Sequence, residues 1–313
     1  MRPFFRPLRL GGAAAPAFVR RYSTGGALVS VERAAVRRYS TGGALVSVER
    51  AAAARGGTVA TIVLDDPRKL NALSVAMGDA FEAAVSDLAA DETLRCVLVT
   101  GRGRAFSAGG DLRWLRERAD RPYDENVETM RNFYSRFLCL RSIKAPTIAC
   151  LNGAAVGAGA GLALCCDMMT ATRGASLGLN FVRIGIPLGM GTSATAPERL
   201  GANLAMSSLL CGGTLGADAL QRVPGLLLDG LLHDDTPEMM GFAQQYAQEF
   251  SENASTQALR EAVVIARAPL DEKISRQLEV ESQSQSRAYS HPDFKEAMDA
   301  LLEKRPADFA REV

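Results

Sequence analysis

From about residue 56 onward, apolar residues recur with strand and helix periods in alternation. Thr58–Leu64 is rich in β-branched residues and predicts a strand. Ser74 precedes a segment of helical period and is predicted to cap that helix. The apolar face of the helix comprises Met77, Phe81, Ala84, Val85 and Leu88. Cys96–Thr100 predicts a second, buried strand.

The rest of the chain continues this alternation. Tyr123–Leu140 and Gly191–Leu210 are predicted to be mainly helical. From Pro237 the chain is predicted to be helical as far as an amphipathic end, residues 292–304. Short strand regions are predicted at Met168–Thr172, Ala175–Leu179 and Val223–Leu232. Strands alternating with helices indicate an α/β or mixed layered domain.

The stretch Ile148–Asp167 is the most distinctive part of the chain. A short apolar strand, Thr147–Leu151, breaks at Asn152-Gly153 and continues through small residues into the start of a helix. Backbone N–H groups at such a turn lack intrahelical partners and can bind an anionic oxygen. Ala105–Leu112 is a second small-residue turn of the same form, in which Asp111 is suited to cap the following helix.

Three other interpretations of the central stretch compete with an anion site. The uncharged run Pro146–Cys166 is nearly long enough to cross a membrane, but Pro146 and Asn152-Gly153 interrupt it. Gly157-Ala158-Gly159 is similar to a dinucleotide fingerprint, but the third glycine has the wrong spacing. A third alternative stays open, namely a buried helix whose small residues let neighbouring elements pack closely against it.

Composition narrows the function classes. The 313 residues are 47% hydrophobic and 23% charged, which is typical of a globular protein with one large domain or two smaller ones. The net charge of +1 does not support nucleic-acid binding. The six cysteines form no C-x-x-C pair, so buried free thiols are favoured over disulfides, and no metal is expected. The two histidines, His233 and His291, lie in polar contexts that give poor support for a catalytic triad.

The first 52 residues differ from the rest. Arginines are frequent, and no acidic residue precedes Glu32, which is typical of a transit peptide and predicts a mitochondrial-matrix protein. A disordered basic tail is the alternative. Val19–Ala35 is repeated letter for letter as Val36–Ala52. Two copies are too few for a repeat fold, so residues 1–53 are interpreted as a duplicated, disordered leader outside the fold.

Five motifs in order resemble those of the crotonase, or enoyl-CoA hydratase/isomerase, superfamily. The resemblance extends from about Gly56 to Phe309, and its first motif, residues 66–73, is similar to a CoA-contacting loop. Residues 106–112 and 152–167 are similar to the two loops that hold an oxyanion in that family. Residues 185–187 and 300–306 match later landmarks.

This resemblance implies a mixed α/β fold, a spiral of ββα units followed by a C-terminal helical region that forms trimers. The implied division is a spiral core over residues 54–250 and a helical region over residues 251–313. The implied ligand is an acyl-CoA thioester, with coenzyme A as part of the substrate and no separate cofactor. The implied assembly is a homotrimer or homohexamer without a membrane span.

The resemblance also assigns roles to individual residues. The backbone N–H groups of Gly110 and Ala158 correspond to the pair of donors that bind the thioester oxygen. The positions implied to contact CoA are Arg68, Lys69, Leu70, Ser107, Ala108, Asp111, Leu112, Leu301 and Lys304. Lys304 matches a contact that reaches the ligand of a neighbouring subunit.

Two positions depart from the family pattern. Hydratases of the family carry two glutamates, and their positions fall at Gly161 and Phe181, neither of which can transfer a proton. The ring of Phe181 is expected to make the pocket drier. We therefore expect an enoyl-CoA hydratase/isomerase-type enzyme, a lyase or isomerase of altered mechanism, in fatty-acid or branched-chain acyl-CoA metabolism. A non-catalytic CoA-binding paralogue and an acyl-CoA hydrolase or decarboxylase are the alternatives.

Overall fold

The structure, a computed structural model, describes residues 35–39, 45–228 and 230–309. Strands and helices alternate along most of this part of the chain. The strands are β1 Ala35–Tyr39, β2 Val46–Ala52, β3 Thr58–Leu64, β4 Leu94–Gly101, β5 Ala105–Ser107, β6 Thr147–Leu151, β7 Ala154–Val156, β8 Met168–Ala171, β9 Ser176–Gly178 and β10 Thr214–Gly216.

Helices make up most of the C-terminal part of the chain. They are α1 Val75–Ala89, α2 Leu112–Arg116, α3 Tyr123–Leu138, α4 Ala158–Cys165, α5 Thr192–Leu200, α6 Ala202–Cys211, α7 Ala217–Gln221, α8 Thr236–Asn253, α9 Thr256–Tyr289 and α10 Pro292–Glu303. The predicted mixed α/β class with a helical C-terminal region is confirmed. The predicted cap of α1 is also confirmed, because the Ser74 hydroxyl accepts a hydrogen bond from the Met77 N–H at 3.2 Å.

A six-stranded sheet has the order β1-β2-β3-β4-β6-β8. The pairs β1/β2 and β2/β3 are antiparallel, whereas β3/β4, β4/β6 and β6/β8 are parallel. Parallel neighbours need crossover connections, and α1, α3 and α4 lie in those connections. The central strands are buried on both faces: Val97 and Val99 of β4 face the large core, while Cys96 and Leu98 face a smaller cluster that includes residues of α8.

A four-stranded sheet of short strands, ordered β10-β9-β7-β5, positions the two small-residue turns. β5, β7 and β9 are parallel, with Ala105 paired to Ala154 and Val156 paired to Gly178. The carboxyl ends of parallel strands meet at one edge of a sheet. The segments that follow these three strands, including Gly110, Ala158 and Phe181, therefore emerge side by side.

The interpretation of residues 1–53 as a leader outside the fold is wrong for its last part. β2 pairs along its whole length with β3, and Val46 and Val48 are fully buried in the large core. Arg37 and Arg50 both bind the Asp87 carboxylate of α1, at 2.8 and 2.6 Å. The alternating apolar residues of this segment complete the sheet, whatever the origin of the repeat. The first copy of the repeat lies almost entirely outside the described residues.

Two further expectations need correction. Val223–Leu232, expected to be a short strand region, is a series of turns that makes backbone hydrogen bonds beside β8, for example from the Leu228 N–H to the Met169 carbonyl at 2.8 Å. The boundary expected at residue 250 falls inside α8, and one hydrophobic core extends from Val46 to Met298. No helix within the described residues is long and apolar enough to cross a membrane.

Candidate active site

A cavity of about 500 Å³ opens where the three parallel strands end. Gly110, Ala158 and Phe181, which follow β5, β7 and β9, all line it. Several other predicted site residues also line the cavity, namely Lys69, Ala108, Asp111, Leu112 and Leu301. The topology therefore brings together most of the residues that the sequence selected from separate segments.

The side chains of Asn71 and Ser107 support the first turn, residues 108–111, and the strand before it. The buried Asn71 amide donates to the carbonyls of Ala105 and Arg102 at 2.9 and 3.0 Å, and its oxygen accepts from the Asp66 N–H at 3.0 Å. Ser107 is fully buried, donating to the Asn71 carbonyl at 2.8 Å and accepting from the Gly109 N–H at 3.2 Å. Ser107 thus supports the turn and does not line the cavity.

The second turn lies directly against the first. Gly109 has φ +92°, and a Cβ there would stand 2.6 Å from the Val156 carbonyl and 3.5 Å from the Ala158 nitrogen. Only glycine tolerates both this backbone conformation and this contact. The two loops therefore approach within van der Waals distance next to Ala158, the first residue of the wholly buried helix α4.

The N–H groups of Gly110 and Ala158 are available to a ligand. Within the described part of the chain, neither N–H has a hydrogen-bond acceptor. Ala158 lies at the N-terminus of an eight-residue helix, where the helix dipole adds positive partial charge. Two donors on adjacent turns at the edge of an apolar cavity can stabilise negative charge on a carbonyl oxygen.

Arginines hold the opposite end of α4. Arg141 donates to the Cys165 carbonyl at 2.7 Å, and Arg199 donates to the Asp167 carbonyl at 2.6 Å. The Asp167 carboxylate accepts from Arg267 Nε at 2.7 Å and from the Thr147 N–H at 2.7 Å. Burial alone would raise the pKa of Asp167, but these hydrogen bonds and the Arg267 charge outweigh it, so its pKa is lowered. Asp167 therefore anchors the helix as a carboxylate.

Phe181 and Gly161, the positions at which the resemblance predicts the glutamates of hydratases, have different surroundings. Phe181 is 4% exposed and forms part of the cavity wall. Gly161 is not among the lining residues, and a Cβ there would stand only 2.5 Å from the Met190 Cβ. Met190, held at φ +59°, lines the cavity and fills the space beside Gly161. This part of the wall is therefore apolar.

Few ionisable groups reach the cavity. Asp111 is the one carboxylate among the described lining residues, and one of its oxygens caps α2 by accepting from the N–H groups of Arg113 and Trp114, at 2.9 and 3.2 Å. Its other oxygen lies 3.9 Å from Lys69 Nζ. Over the described ranges there is also no group of three residues suited to hold a metal ion. Backbone dipoles therefore supply much of the polarity of this site.

The predicted CoA-contacting residues fall into two groups: five line the cavity, whereas Arg68, Leu70, Ser107 and Lys304 do not. Arg68 and Lys69 are exposed, and Leu70 has φ +53° with its carbonyl accepting the Ala108 N–H at 2.9 Å. Leu301 is 44% exposed at the end of α10. Lys304 ends that helix in a left-handed conformation, exposed and outside the lining. Within this single chain, Lys304 does not contribute to the cavity.

Sequence reasoning missed several cavity residues. Tyr134 on α3 and Gln285 on α9 come from distant helices, and Asn180 follows β9. Tyr134 falls on the same face as Met130 and Phe137, so its spacing indicated only a core residue. Gln285 lies in a polar run that carried no signal at all. Burial raises the pKa of Tyr134 well above its ordinary value, so its hydroxyl stays protonated at neutral pH.

Known proteins resemble this chain over most of its length. The enoyl-CoA hydratase/isomerase family model matches residues 54–312. A probable enoyl-CoA hydratase of Rhodobacter capsulatus is 32% identical over 256 residues, which is 80% of this chain and 94% of that protein. The crystal structure of OdaA from Pseudomonas aeruginosa superposes with a TM-score of 0.71 at 29% identity, covering 83% of this chain and 99% of the other. An enoyl-CoA hydratase from Mycobacterium avium gives a TM-score of 0.70 at 27% identity, with 85% and 98% covered.

Proposed function

Because the chain belongs to the enoyl-CoA hydratase/isomerase family, we propose that it is an enzyme that acts on acyl-CoA thioesters. One observation carries the proposal: the unpartnered N–H groups of Gly110 and Ala158 lie on touching turns at the edge of one cavity. A thioester carbonyl bound to both would gain charge as an enolate or tetrahedral oxyanion forms. The donors would then bind the transition state more strongly than the substrate, which is the condition for catalysis.

The cavity suits the acyl part of such a ligand. Its wall contains apolar residues such as Met130, Phe133 and Ile186, which favour a hydrocarbon chain. The exposed cation Lys69 lines the cavity, and Lys69 and its exposed neighbour Arg68 suit the phosphates of coenzyme A. The role we propose for Lys304 requires a neighbouring subunit, whose ligand it would contact.

The apolar surroundings of Phe181 and Gly161 limit the reactions that the site could catalyse. The resemblance predicts the two glutamates at these positions, and neither carries an acid, which argues against hydration by the two-glutamate mechanism. We therefore propose an altered mechanism in which the oxyanion donors contribute most of the rate enhancement. Decarboxylation of a malonyl-type thioester is the second candidate. The bond to the carboxylate breaks, neutral carbon dioxide leaves, and the electron pair and its negative charge pass to the enolate, which the two N–H donors would stabilise until water protonates it. An apolar wall beside the substrate carboxylate favours this transfer of charge.

The cellular setting remains a proposal. We propose a mitochondrial-matrix enzyme of fatty-acid or branched-chain acyl-CoA metabolism, on the arginine-rich, acid-poor composition before Glu32. Fluorescence microscopy of residues 1–53 fused to a reporter tests the location. A diffuse reporter would contradict it.

A product screen tests the function. The full chain is incubated with enoyl-, 3-hydroxyacyl- and malonyl-type CoA esters, and products are identified by mass spectrometry. We expect turnover of at least one class. Binding of acyl-CoA without any turnover would instead favour the non-catalytic paralogue, and free CoA as the main product would favour a hydrolase.

Gly110→Pro tests the proposed oxyanion site. Proline lacks the N–H, so turnover should fall by about 100- to 1000-fold, the usual cost of losing one such donor. Gly110→Ala is the matched control, since it adds a Cβ 3.0 Å from the Leu115 side chain but keeps the N–H. Equal turnover by both folded variants would show that the chemistry takes place elsewhere.

A further inference from the structure

The cavity has an exposed end and a deeply buried end. Its exposed end includes Leu301 and Leu302, which are 44% and 60% exposed. At the buried end, Tyr134 and Gln285 are 1% and 2% exposed. Both contact Gly189: a Cβ there would stand 2.8 Å from Tyr134 Oη and 2.5 Å from Gln285 Nε2. This end of an otherwise mainly apolar cavity thus contains two polar side chains.

Hydrogen bonds fix the orientation of these two side chains. Gln285 Oε1 accepts from Tyr134 Oη at 2.8 Å and from Tyr289 Oη at 2.9 Å, while Gln285 Nε2 donates to the Pro187 carbonyl at 2.9 Å. The opposite amide orientation would place two acceptors, Gln285 Oε1 and the Pro187 oxygen, face to face. The amide therefore has the orientation described.

This arrangement leaves one donor and one acceptor unused. A glutamine amide carries two N–H donors, and among the described residues only the Pro187 carbonyl accepts from Gln285 Nε2. The Tyr134 oxygen donates its single proton to Gln285 and keeps its acceptor lone pairs. A hydroxyl group is the small substituent that satisfies both, since it donates and accepts at once.

We propose that Tyr134 and Gln285 select an acyl-CoA whose chain carries a hydroxyl group at the buried end of the cavity. The hydroxyl donates to Tyr134 Oη and accepts from Gln285 Nε2. A plain alkyl chain would displace water from this end and leave the N–H and the phenol oxygen without partners, which costs binding free energy. This proposal rests on the proposed function and specifies its substrate class.

Binding measurements on the full chain test the proposal. Dissociation constants are measured by calorimetry for hexanoyl-CoA and for its 3-, 4-, 5- and 6-hydroxy derivatives. We expect the 4-, 5- or 6-hydroxy derivative to bind about tenfold more tightly than hexanoyl-CoA, as two neutral hydrogen bonds allow. The 3-hydroxy derivative, whose hydroxyl lies beside the thioester, is the control for recognition away from the buried end. In Tyr134→Phe, which removes the acceptor, this preference should fall to about twofold or less.

Tyr289→Phe provides a matched control. Tyr289 donates to the same Gln285 oxygen and is equally buried, but it does not line the cavity. Its removal perturbs the same network yet should leave the hydroxyl preference intact. Equal binding of hexanoyl-CoA and all its derivatives, or a preference that survives Tyr134→Phe, would overturn this inference and leave the proposed function standing. If no acyl-CoA binds at all, both fail together.

Discussion

At the scale of single residues, Phe181 places a side chain without a transferable proton in the cavity wall. Its ring is buried in the wall, at one of the two positions where the resemblance predicts an acid. At the other, Gly161, a side chain has no room while Met190 packs against it. Of these two positions, 181 is therefore the one at which a carboxylate can be introduced without backbone movement.

Phe181→Glu is expected to raise hydration of crotonyl-CoA. A carboxyl group in this apolar wall has a raised pKa, which makes it a better general base near neutral pH. General acid–base catalysis contributes on the order of 100-fold or more, so a clear increase in initial rate should appear in a spectrophotometric assay. Phe181→Gln, with similar size and no titratable proton, is the control and should match the parent. A parent that already turns over crotonyl-CoA at about 10 per second would show that an acid has been overlooked.

At the scale of elements, the site depends on how α4 is held at both ends. Its N-terminus presents the Ala158 N–H. At its C-terminal end the Cys165 carbonyl accepts from Arg141, and the carbonyls of the next two residues, Cys166 and Asp167, accept from Arg199. Arg267 of α9 joins this end to the loop before β6, donating to the Ile143 carbonyl at 2.6 Å and to the Asp167 carboxylate. Cations at a helix C-terminus stabilise the helix dipole, so these arginines also support the oxyanion donor.

Arg267→Ala is expected to destabilise the fold by about 3 kcal/mol, because it leaves the partly buried Asp167 carboxylate without its cation and the Ile143 carbonyl without its donor. Urea unfolding followed by circular dichroism measures the change. Arg276→Ala on the same helix is the control: it breaks an exposed pair with Glu272 and should cost roughly 0.5 kcal/mol or less. Similar losses in both variants would mean that the Arg267 contacts contribute little.

The ion pair between Arg267 and Asp167 also predicts a dependence of stability on pH. The pKa of Asp167 in the folded state is lowered below its unfolded value. Its contribution is therefore complete above the unfolded pKa and is lost as the pH falls through the folded pKa. Asp167→Asn should reduce the loss of stability between pH 5 and the acid limit of folding, in the same urea experiment. An unchanged pH profile would assign acid sensitivity to other groups.

Strands and helices with a regular apolar period could be predicted from the sequence. A strand that depends on pairing with a partner strand could not. β3, β6 and the start of α1 have the expected bounds, because local periodicity and a serine cap determine them. β2 was not predicted, because the exact repeat led to the interpretation of residues 1–53 as a leader, although Val46 and Val48 alternate as in a strand. A strand at this position is stabilised by β3, a partner that sequence periodicity does not identify.

At the scale of the whole molecule, the order of the motifs predicted that the two small-residue turns meet. It did not predict which residues of other helices line the same cavity. Gly110 and Ala158 come together because β5 and β7 are parallel neighbours. Tyr134 and Gln285 reach the same cavity from α3 and α9, two helices whose packing brings residues about 150 positions apart into contact at 2.8 Å. Such contacts follow from tertiary packing and leave no local trace in the sequence.

Apolar residues also remain exposed at the mouth of the cavity. Leu112, Leu301 and Leu302 are between 42% and 60% exposed, and all three line the cavity. Exposed apolar residues grouped beside a ligand site are typical of an interface. Together with the resemblance to a family that forms trimers, this surface leads us to propose a homotrimer or homohexamer in which a neighbouring subunit covers the mouth.

Sedimentation equilibrium on the full chain should therefore give the mass of three or six copies. Leu302→Asp places a charge on this surface without disturbing the core of the subunit, so it should shift the protein toward smaller species and weaken acyl-CoA binding at least about tenfold. Leu302→Met keeps the surface apolar and should retain both assembly and affinity. A monomeric parent that binds acyl-CoA as tightly as the Leu302→Met variant would contradict the assembly, because the cavity would then be complete within one chain.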